Sequence, residues 1–225
     1  MAYYPVFLDI AGRPCLVVGG GKVAERKVRS LLSAGADVTV LSPRLTEGLK
    51  RLVSKKDADR VRHIPRRYSP GDLEGYFLVI SATNSKETNR QVYEDAEDFN
   101  VLLNVVDHPE ACNFIVPSVV ERGELKVAIS TSGKSPFLAK TLRNALENAL
   151  PQELVTFVEI LGAVRNKLLK EGAKSDKKTR IYRTLVDSPM LEWIAGGSAA
   201  RINRFLREIL GNEYTLSKLG IRLKR

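Results

Sequence analysis

Apolar and polar residues form segments of two kinds in the first half of the chain. Short apolar runs of strand length occupy residues 15–18, 37–41, 61–64, 77–82 and 101–106. Longer stretches with apolar residues at helical spacing lie between them, at residues 22–32, 45–55 and 86–99. Strands that alternate with helices predict an α/β fold with a doubly wound parallel sheet. We also expect residues 3–10 to be an initial strand or a segment packed across the sheet, and residues 68–73 to be a turn with a short helix.

The second half of the chain has a different pattern. Residues 114–118 and 125–130 are extended in character, and Pro136 begins a helical stretch that runs to about residue 150. The remainder is helical and basic, and we expect breaks in it at residues 172–176, 188–189 and 196–197. These changes divide the chain into three expected parts, residues 1–112 with the sheet, 113–150 as a connecting segment, and 151–225 as a small helical domain.

Three consecutive glycines follow the first predicted strand. Gly19, Gly21 and Ala24 fit the G-x-G-x-x-A form of the dinucleotide fingerprint, between a strand and a helix. In this motif the first glycine makes the tight turn, the second lets the backbone reach the pyrophosphate, and the small third residue lets helix pack on strand. The free N–H groups at the helix start then face the phosphates. A phosphate-free turn in an ordinary α/β sheet is the alternative interpretation.

Ligands of a doubly wound sheet bind beyond the carboxyl ends of its strands. The polar residues expected at that edge are Ser42, Thr83, Asn84 and Asp107. Ser42 stands where many NAD enzymes have an acidic residue that binds the ribose hydroxyls. A serine can bond the ribose without repelling a 2′-phosphate, and Arg44 attracts one, so these residues leave the choice between NAD and NADP open.

Composition excludes several classes of protein. The 225 residues are 44% hydrophobic and 28% charged, as in globular proteins. No apolar run approaches the roughly 20 residues that cross a bilayer, and the N-terminus lacks the features of a signal peptide, so we expect a cytoplasmic protein that binds no membrane. Cys15 and Cys112 make neither a disulfide framework nor a zinc site. No His, Cys and carboxylate cluster has metal-ligand spacing, and we expect no permanently bound metal.

The positive charge is concentrated near the end of the chain. The formal net charge is +10, and residues 165–225 hold 15 Lys and Arg against 6 Asp and Glu. A solvated helical face, a nucleic-acid surface and part of a substrate pocket are three interpretations of this charge. No element that reads nucleic acid is recognisable, so we do not expect a nucleic-acid partner.

Several motifs resemble those of the precorrin-2 dehydrogenase family, which also forms the N-terminal part of siroheme synthases. They are Pro5-Val-Phe-Leu, Val-Val-Gly-Gly-Gly-Lys-Val-Ala-Glu-Arg-Lys (17–27), Gly-Ala-Asp-Val-Thr-Val (35–40), Ala82-Thr83, Asn-Val-Val-Asp (104–107), Phe-Ile-Val-Pro-Ser (114–118) and Ser135-Pro136. The resemblance implies a Rossmann-like sheet, a dimerisation segment at 113–150 that forms a homodimer, and an all-helical C-terminal domain. We expect a separate protein to make precorrin-2, because the sequence ends before the methyltransferase domain of the fused siroheme synthases.

The resemblance also implies an activity with NAD as cofactor. Precorrin-2 is oxidised to sirohydrochlorin, and bifunctional members then insert ferrous iron, which leaves open whether Fe(II) is a second substrate here. Asp107 matches the family aspartate implicated in both steps, and a carboxylate can take the proton released with the hydride. His108 is a second candidate for handling protons or iron. From position alone, Asp107 is equally a turn-shaping residue.

Further binding residues are implied by the family match. The matching cofactor positions are Gly19, Gly21, Lys22, Val23, Ser42, Pro43, Arg44, Thr83, Asn104 and Val105. The substrate is a polycarboxylate that positive potential attracts. The candidates for its pocket are Thr131, Lys134, Ser135, Arg201 and Arg204.

Two of these assignments have alternatives. Thr131 aligns with a serine that in some relatives is phosphorylated or lines the active site, and whether Thr131 is modified is open. Helix capping is the alternative role for Ser135. For the whole chain, a non-catalytic nucleotide-sensing module is the rival of the enzyme. A sensor explains residues 19–24 but leaves Asp107 and residues 113–136 without a role.

Overall fold

The computed structural model describes residues 3–54 and 59–223. The chain forms two compact units, Met1–Val116 and Pro117–Arg225, and each is described by itself. The three-part division expected from the sequence stays a prediction.

The first unit is a parallel sheet with helices between its strands. The strands are β1 (Pro14–Val18), β2 (Asp37–Leu41), β3 (Val61–Ile64), β4 (Leu78–Ser81) and β5 (Leu102–Val105). The helices are α1 (Lys22–Ser33), α2 (Glu47–Ser54), α3 (Lys86–Phe99) and a 3-10 turn at Pro109–Ala111. The strand order is β3-β2-β1-β4-β5, and all neighbouring pairs are parallel. This confirms the Rossmann-like doubly wound sheet, and the strand order reverses between β1 and β4.

The sheet separates two apolar cores. In β1, Cys15 and Val17 pack in one core while Leu16 and Val18 pack in the other, because successive side chains of a strand point to opposite faces. Helices α1 and α2 contribute to the first core and α3 contributes to the second. A strand buried on both faces is apolar throughout, which explains the continuous runs in the sequence.

Three expectations in this unit need correction. Residues 3–10 contain no strand, and their apolar side chains are mostly exposed, with only Ile10 in the core. Pro5 has no N–H to donate to a ladder, which disfavours a strand there. Residues 70–75 form turns without a helix, since Gly71 and Gly75 have φ of +91° and +81°. Helix α2 begins at Glu47, later than expected, and the predicted end at Lys55 lies outside the described residues.

The second unit begins with a hairpin. Strands β6 (Ser118–Arg122) and β7 (Leu125–Ile129) pair antiparallel around Gly123 and Glu124. Of the expected extended segment at 114–118, only the last residue belongs to a strand, where β6 begins. The Phe114 carbonyl is held by Asn104, and Pro117 lacks an N–H, so this stretch pairs with no strand.

Helices make up the rest of the second unit. They are α4 (Pro136–Ala149), α5 (Glu153–Lys170), α6 (Ser175–Val186), α7 (Met190–Ala195) and α8 (Ala199–Leu210). The breaks match the expected ones, although α6 already begins inside the predicted break at 172–176. Ile160, Leu185 and Ile202 are fully buried in the core that α5 to α8 share. Among the described residues, no helix is both long enough and apolar enough to cross a membrane.

Candidate functional site

The glycine turn after β1 is shaped by contacts with neighbouring strand ends. Gly19 has φ of +120°, and its N–H donates to the Leu41 carbonyl at 2.9 Å. A Cβ at Gly19 would lie 2.5 Å from the Ala82 carbonyl oxygen. The position therefore requires glycine for both conformation and space, as the tight-turn role predicts.

Gly20 is a requirement that sequence reasoning missed. A Cβ at this position would lie 1.9 Å from the Arg44 carbonyl oxygen, and the Gly20 carbonyl accepts the Thr46 N–H at 3.0 Å. The fingerprint treats residue 20 as free, but the run of three glycines was an available signal. Gly20 thus lets the loop after β2 pack directly on the turn.

Gly21 differs from both of its neighbours. Its backbone is extended, with φ of −82° and ψ of −175°, and a Cβ would meet nothing within 4 Å. It is the N-cap of α1, and no side chain caps that helix. The first N–H groups of α1 are therefore available to an anion, and the missing side chain gives access to them. Ala24, the third fingerprint position, is fully buried in the core beneath.

The loop after β2 is held in place by its own polar groups. The buried Ser42 hydroxyl donates to the Arg44 carbonyl at 2.8 Å, so its proton is used inside the loop. His63 Nε2 lies 2.8 Å from the Ser42 carbonyl oxygen, which gives this histidine a structural role. Pro43 and Arg44 are exposed at the loop surface. With no carboxylate at position 42, the loop has no group that repels a 2′-phosphate.

Helix α1 anchors this loop through Glu25. The Thr46 hydroxyl donates to Glu25 Oε2 at 2.6 Å, and Arg29 Nη2 donates to Oε1 at 2.6 Å. These hydrogen bonds lower the pKa of Glu25, with that from Thr46 as the largest cause. A Cβ at Gly48 would lie 2.0 Å from Glu25 Oε1, so α2 packs closely against the same carboxylate. Sequence reasoning missed this link between residues about twenty positions apart.

The end of β4 is organised by a buried asparagine. Ser81 donates to Asn89 Oδ1 at 2.7 Å, and Asn89 Nδ2 donates to the Thr83 carbonyl at 3.3 Å. The Thr83 hydroxyl accepts the Ser85 N–H at 3.2 Å. Thr83 therefore lies at the expected carboxyl edge, half-buried, with its orientation determined by α3.

Asp107 occupies an unusual backbone conformation at the end of β5. Its φ is +64°, in the left-handed region that non-glycine residues seldom adopt, and its side chain is exposed. The His108 N–H donates to the Val105 carbonyl at 3.2 Å and closes the turn. Strands β1 and β5 both flank β4, so their ends are about 10 Å apart at the same edge. Asp107 and the glycine turn thus share one side of the sheet.

A cavity with two basic side chains in its lining lies beside the Asp107 turn. Its volume is about 320 Å³, and Lys86, Arg90 and His108 are among its lining residues. Arg90 is only loosely paired with Glu94, at 3.8 Å, and His108 Nδ1 is 3.2 Å from Glu110 Oε1. Another cavity, of about 310 Å³, is lined by the first residues of β1 and β2, at the opposite ends of these strands.

Two predicted cofactor residues already donate hydrogen bonds to other groups of the chain. Asn104 Nδ2 donates to the Phe114 carbonyl at 3.1 Å. The Val105 side chain is buried, its N–H donates to Cys112 Sγ at 3.2 Å, and its carbonyl lies 3.3 Å from the same sulfur. Their cofactor role stays a prediction that this geometry does not support. Lys22 and Val23, by contrast, are exposed at the start of α1.

The predicted substrate residues all lie in the second unit. Thr131 Oγ1 accepts the Ser135 N–H at 3.0 Å, and Ser135 Oγ accepts the Leu138 N–H at 3.2 Å. Ser135 is therefore the N-cap of α4, as its alternative role required. The Lys134 N–H donates to the Thr131 carbonyl at 3.0 Å, while Arg201 and Arg204 are exposed on α8. A role of these residues in substrate binding stays a prediction.

Metal ligands are not grouped in the part of the chain that the structure describes. Within residues 3–54 and 59–223, no group of three or more His, Cys, Asp or Glu side chains could hold a metal ion. Cys15 and Cys112 are both buried free thiols. Burial raises the pKa of Cys15 to about 11.

Comparison with known proteins agrees with this geometry. Residues 6–118 match a family model described as "Putative NAD(P)-binding", and residues 122–149 match one described as "Sirohaem biosynthesis protein central". The chain belongs to this NAD(P)-binding family of sirohaem-biosynthesis proteins. The resemblance stated from the sequence motifs is thereby confirmed, and NAD is the cofactor. The open Gly21 and the uncapped N-terminus of α1 fit its pyrophosphate.

Individual relatives place the chain within the family. It is 40% identical to a siroheme synthase of Photobacterium profundum over 197 residues, which are 88% of this chain and 41% of that protein. It is 36% identical to siroheme synthase 3 of Aeromonas hydrophila over 95% of this chain and 45% of the relative. The chain thus spans less than half the length of these relatives. A solved structure named "SirC, precorrin-2 dehydrogenase" matches 92% of this chain and 98% of its own, with a TM-score of 0.77 and 26% identity.

Proposed function

We propose that this family member is an NAD-dependent precorrin-2 dehydrogenase that produces sirohydrochlorin. The observation that carries the proposal is the position of Asp107, an exposed carboxylate in a left-handed turn at the same sheet edge as the open glycine turn. The resemblance to a dehydrogenase of the same fold over nearly all of both chains supports the substrate.

Different residues of the chain have different roles in this oxidation. The first N–H groups of α1 would hold the pyrophosphate, and the loop held to α1 by Glu25 and Thr46 packs on the same glycine turn. NAD held at this turn would supply the hydride acceptor for the oxidation. Asp107 accepts the proton that leaves with the hydride, so that hydride and proton are both accounted for.

The cavity beside Asp107 suits a substrate with several carboxylates. Lys86 and Arg90 give it positive potential, and Val105 and His108 in its wall belong to the turn that holds Asp107. Such a cavity attracts a polyanion and orients it with respect to the carboxylate. A nucleotide sensor without a second ligand would have no use for these groups, which favours the enzyme over that rival.

The decisive experiment combines an assay with two matched variants. Purified protein, precorrin-2 and NAD should yield NADH and the sirohydrochlorin spectrum. Asp107→Asn should lower turnover by about 100-fold or more, because general-base catalysis is lost. The asparagine suits a left-handed turn, so folding and NAD affinity should be unchanged. The control is Asp98→Asn, at an exposed position on α3, which should keep full turnover.

The outcomes separate the hypotheses. No turnover by the wild-type chain, under conditions where a known relative works, would reject the dehydrogenase. Binding of NAD without binding of any tetrapyrrole would favour the sensor. Full turnover by Asp107→Asn would assign the proton to another group.

Iron insertion is a separate proposal for the same carboxylate. Insertion of Fe(II) requires the pyrrole N–H groups to lose protons, and Asp107 is an exposed base at the proposed site. Sirohydrochlorin and Fe(II), supplied without NAD, should give siroheme if this activity is present. No siroheme above the rate without protein would reject it.

We also infer a homodimer formed through the second unit. Helix α4 exposes Phe137, Leu138 and Leu142, with 80%, 48% and 43% of their surfaces accessible. Exposed apolar side chains grouped on one helix favour an interface at that place. Phe137→Glu should shift the sedimentation coefficient to that of a monomer, whereas Val186→Glu, on the exposed face of α6, should not. A wild-type monomer at micromolar concentration would contradict this inference.

A cytoplasmic location is proposed on the state of the cysteines. Both Cys15 and Cys112 are free thiols, as expected in a reducing compartment. Fractionation of cells that produce the protein tests this, and recovery outside the cytoplasm would contradict it.

A further inference from the structure

Strand β5 is the last strand of its sheet, and side chains cover its outer edge. The Leu103 N–H donates to Asn113 Oδ1 at 2.8 Å, and the Leu103 carbonyl accepts the Asn113 N–H at 3.1 Å. The Val101 carbonyl accepts from Asn113 Nδ2, also at 2.8 Å. Asn113 therefore takes the place of a neighbouring strand along the first part of the edge.

Cys112 continues this cover toward the carboxyl end of β5. Its sulfur accepts the Val105 N–H at 3.2 Å. The same sulfur lies 3.3 Å from the Val105 carbonyl and 3.2 Å from the His108 carbonyl, the two acceptors within reach of its S–H. Only 9% of the residue is exposed. A thiol can both donate and accept, so one atom serves both ends of the turn.

The thiol retains the hydrogen that this arrangement needs. Burial, the largest effect, raises the pKa of Cys112, and the Val105 N–H and Lys27 oppose it. The neutral S–H is therefore present over the ordinary pH range. Around it, Val105 and Leu103 belong to the same apolar core, where a polarisable sulfur packs well.

The turn that Cys112 spans is the one that carries Asp107. It runs from Val105 to His108, and the His108 N–H closes it on the Val105 carbonyl at 3.2 Å. Asp107 lies inside it with φ of +64°, a conformation that surrounding contacts must maintain. The sulfur touches residues on both sides of this strained position.

We propose that Cys112 is a positioning residue that holds the turn at residues 105–108 and so directs the Asp107 carboxylate. The effect on turnover rests on the proposed dehydrogenase function, whereas the effect on the turn does not. Removal of the sulfur frees the Val105 N–H and one contact of the His108 carbonyl. The turn then opens more often, and the carboxylate is less well oriented toward the substrate.

The test removes the thiol and reads the turn directly. In Cys112→Ala, amide hydrogen exchange at Val105 and His108 should be about 10-fold faster or more, since their partners are lost or loosened. Cys112→Val removes the same hydrogen bonds while filling the space and should behave alike. Cys112→Ser keeps a donor and acceptor on a shorter bond, so its exchange rates should lie between these variants and the wild type. Cys15→Ala, which removes a buried thiol from β1, is the matched control and should leave both amides unchanged.

Kinetics give the second measurement. For precorrin-2 oxidation, kcat of Cys112→Ala should fall about 10-fold while KM for NAD stays within about twofold, because the glycine turn is untouched. Cys112→Ser should recover part of kcat.

Several results would overturn the proposal. A folded Cys112→Ala or Cys112→Val variant with wild-type exchange at Val105 and His108 rejects the positioning role. If neither variant folds, amide hydrogen exchange at Val105 and His108 is measured in Cys112→Ser instead. Exchange at the wild-type rate in that variant also rejects the positioning role. Faster exchange with unchanged kcat rejects the link to Asp107. If the wild type does not oxidise precorrin-2, the dehydrogenase function fails, while the exchange data still decide the role of Cys112 in the turn.

Discussion

Helices α1 and α4 both follow glycine-containing loops, and the two loops treat the helix N-terminus in opposite ways. Before α4, Ser135 accepts the Leu138 N–H and Thr131 accepts the Ser135 N–H, so the loop satisfies its own donors. Before α1, the N-cap is Gly21, and no side chain caps the helix. The loop before α4 uses its hydroxyls to satisfy the N–H groups at the helix start. The loop before α1 leaves the first N–H groups of that helix free for a phosphate.

The glycines in the two loops have different purposes. Gly133, before α4, has φ of +80°, so the backbone itself favours glycine there. Gly21 has an extended backbone and open space around it, so the fold would accept another residue. Glycine provides conformation in one loop and ligand access in the other, and substitutions can separate these roles.

The largest effect is expected when α1 is given a cap like that of α4. Gly21→Asp provides an acceptor for the free N–H groups, but its carboxylate occupies and repels the pyrophosphate position. NAD affinity should fall by about 100-fold or more, which is about 2.7 kcal/mol, with no loss of thermal stability. Titration with NAD and thermal unfolding measure the two quantities. Gly133→Asp is the control and should leave NAD affinity unchanged; an unaltered affinity in Gly21→Asp would contradict the pyrophosphate site.

A methyl group on the neighbouring glycine should act on stability instead. Gly20→Ala places a Cβ 1.9 Å from the Arg44 carbonyl oxygen, so the loop after β2 must move. We expect a loss of about 2 kcal/mol in the free energy of unfolding, as for overpacked sites. Gly21→Ala meets nothing within 4 Å and should unfold like the wild type in denaturant. Equal stability of the two variants would show that the contact with Arg44 is not maintained in solution.

Removal of the α4 cap should have a smaller and purely structural effect. Ser135→Ala deletes the acceptor of the Leu138 N–H and should cost about 1 kcal/mol in the free energy of unfolding. Ser135→Asp retains an acceptor and should restore most of that loss. NAD affinity should be the same in all three proteins, and any large change in it would argue against two independent loops.

The smallest effect is expected from the link between α1 and the loop after β2. Since the pKa of Glu25 is lowered in the folded chain, its contribution is present above the ordinary pKa of glutamate and is lost as the pH falls through the lowered value. The wild type should therefore lose NAD affinity at acidic pH, by about two- to threefold, as Thr46 is released. Glu25→Gln should show a weaker affinity that varies less with pH. Parallel pH curves for the two proteins would reject this link.

Local patterns were sufficient to predict most of the elements. The strands of the sheet are apolar along their whole length because both faces are buried, and the fingerprint glycines stand between a strand and a helix. The strand alternative for residues 3–10 was wrong because a strand also needs a neighbouring strand to pair with, which an apolar pattern alone does not provide. Gly20 and Cys112 were missed because their importance comes from Arg44 and Val105, which only the fold brings near them.

The amino-acid sequence by itself determined the order of strands and helices along the chain, the glycine turn between β1 and α1, and the family, because these depend on neighbouring residues and on their spacing. Tertiary structure alone decided which polar groups remain free for a ligand. Ser42 and Asn104 look like binding residues in the sequence but spend their donors on Arg44 and Phe114, whereas Asp107 stays exposed. The physical reason is that a polar group forms its hydrogen bond with whichever partner the folded chain brings within reach. The spacing of apolar and polar residues along the sequence does not identify that partner.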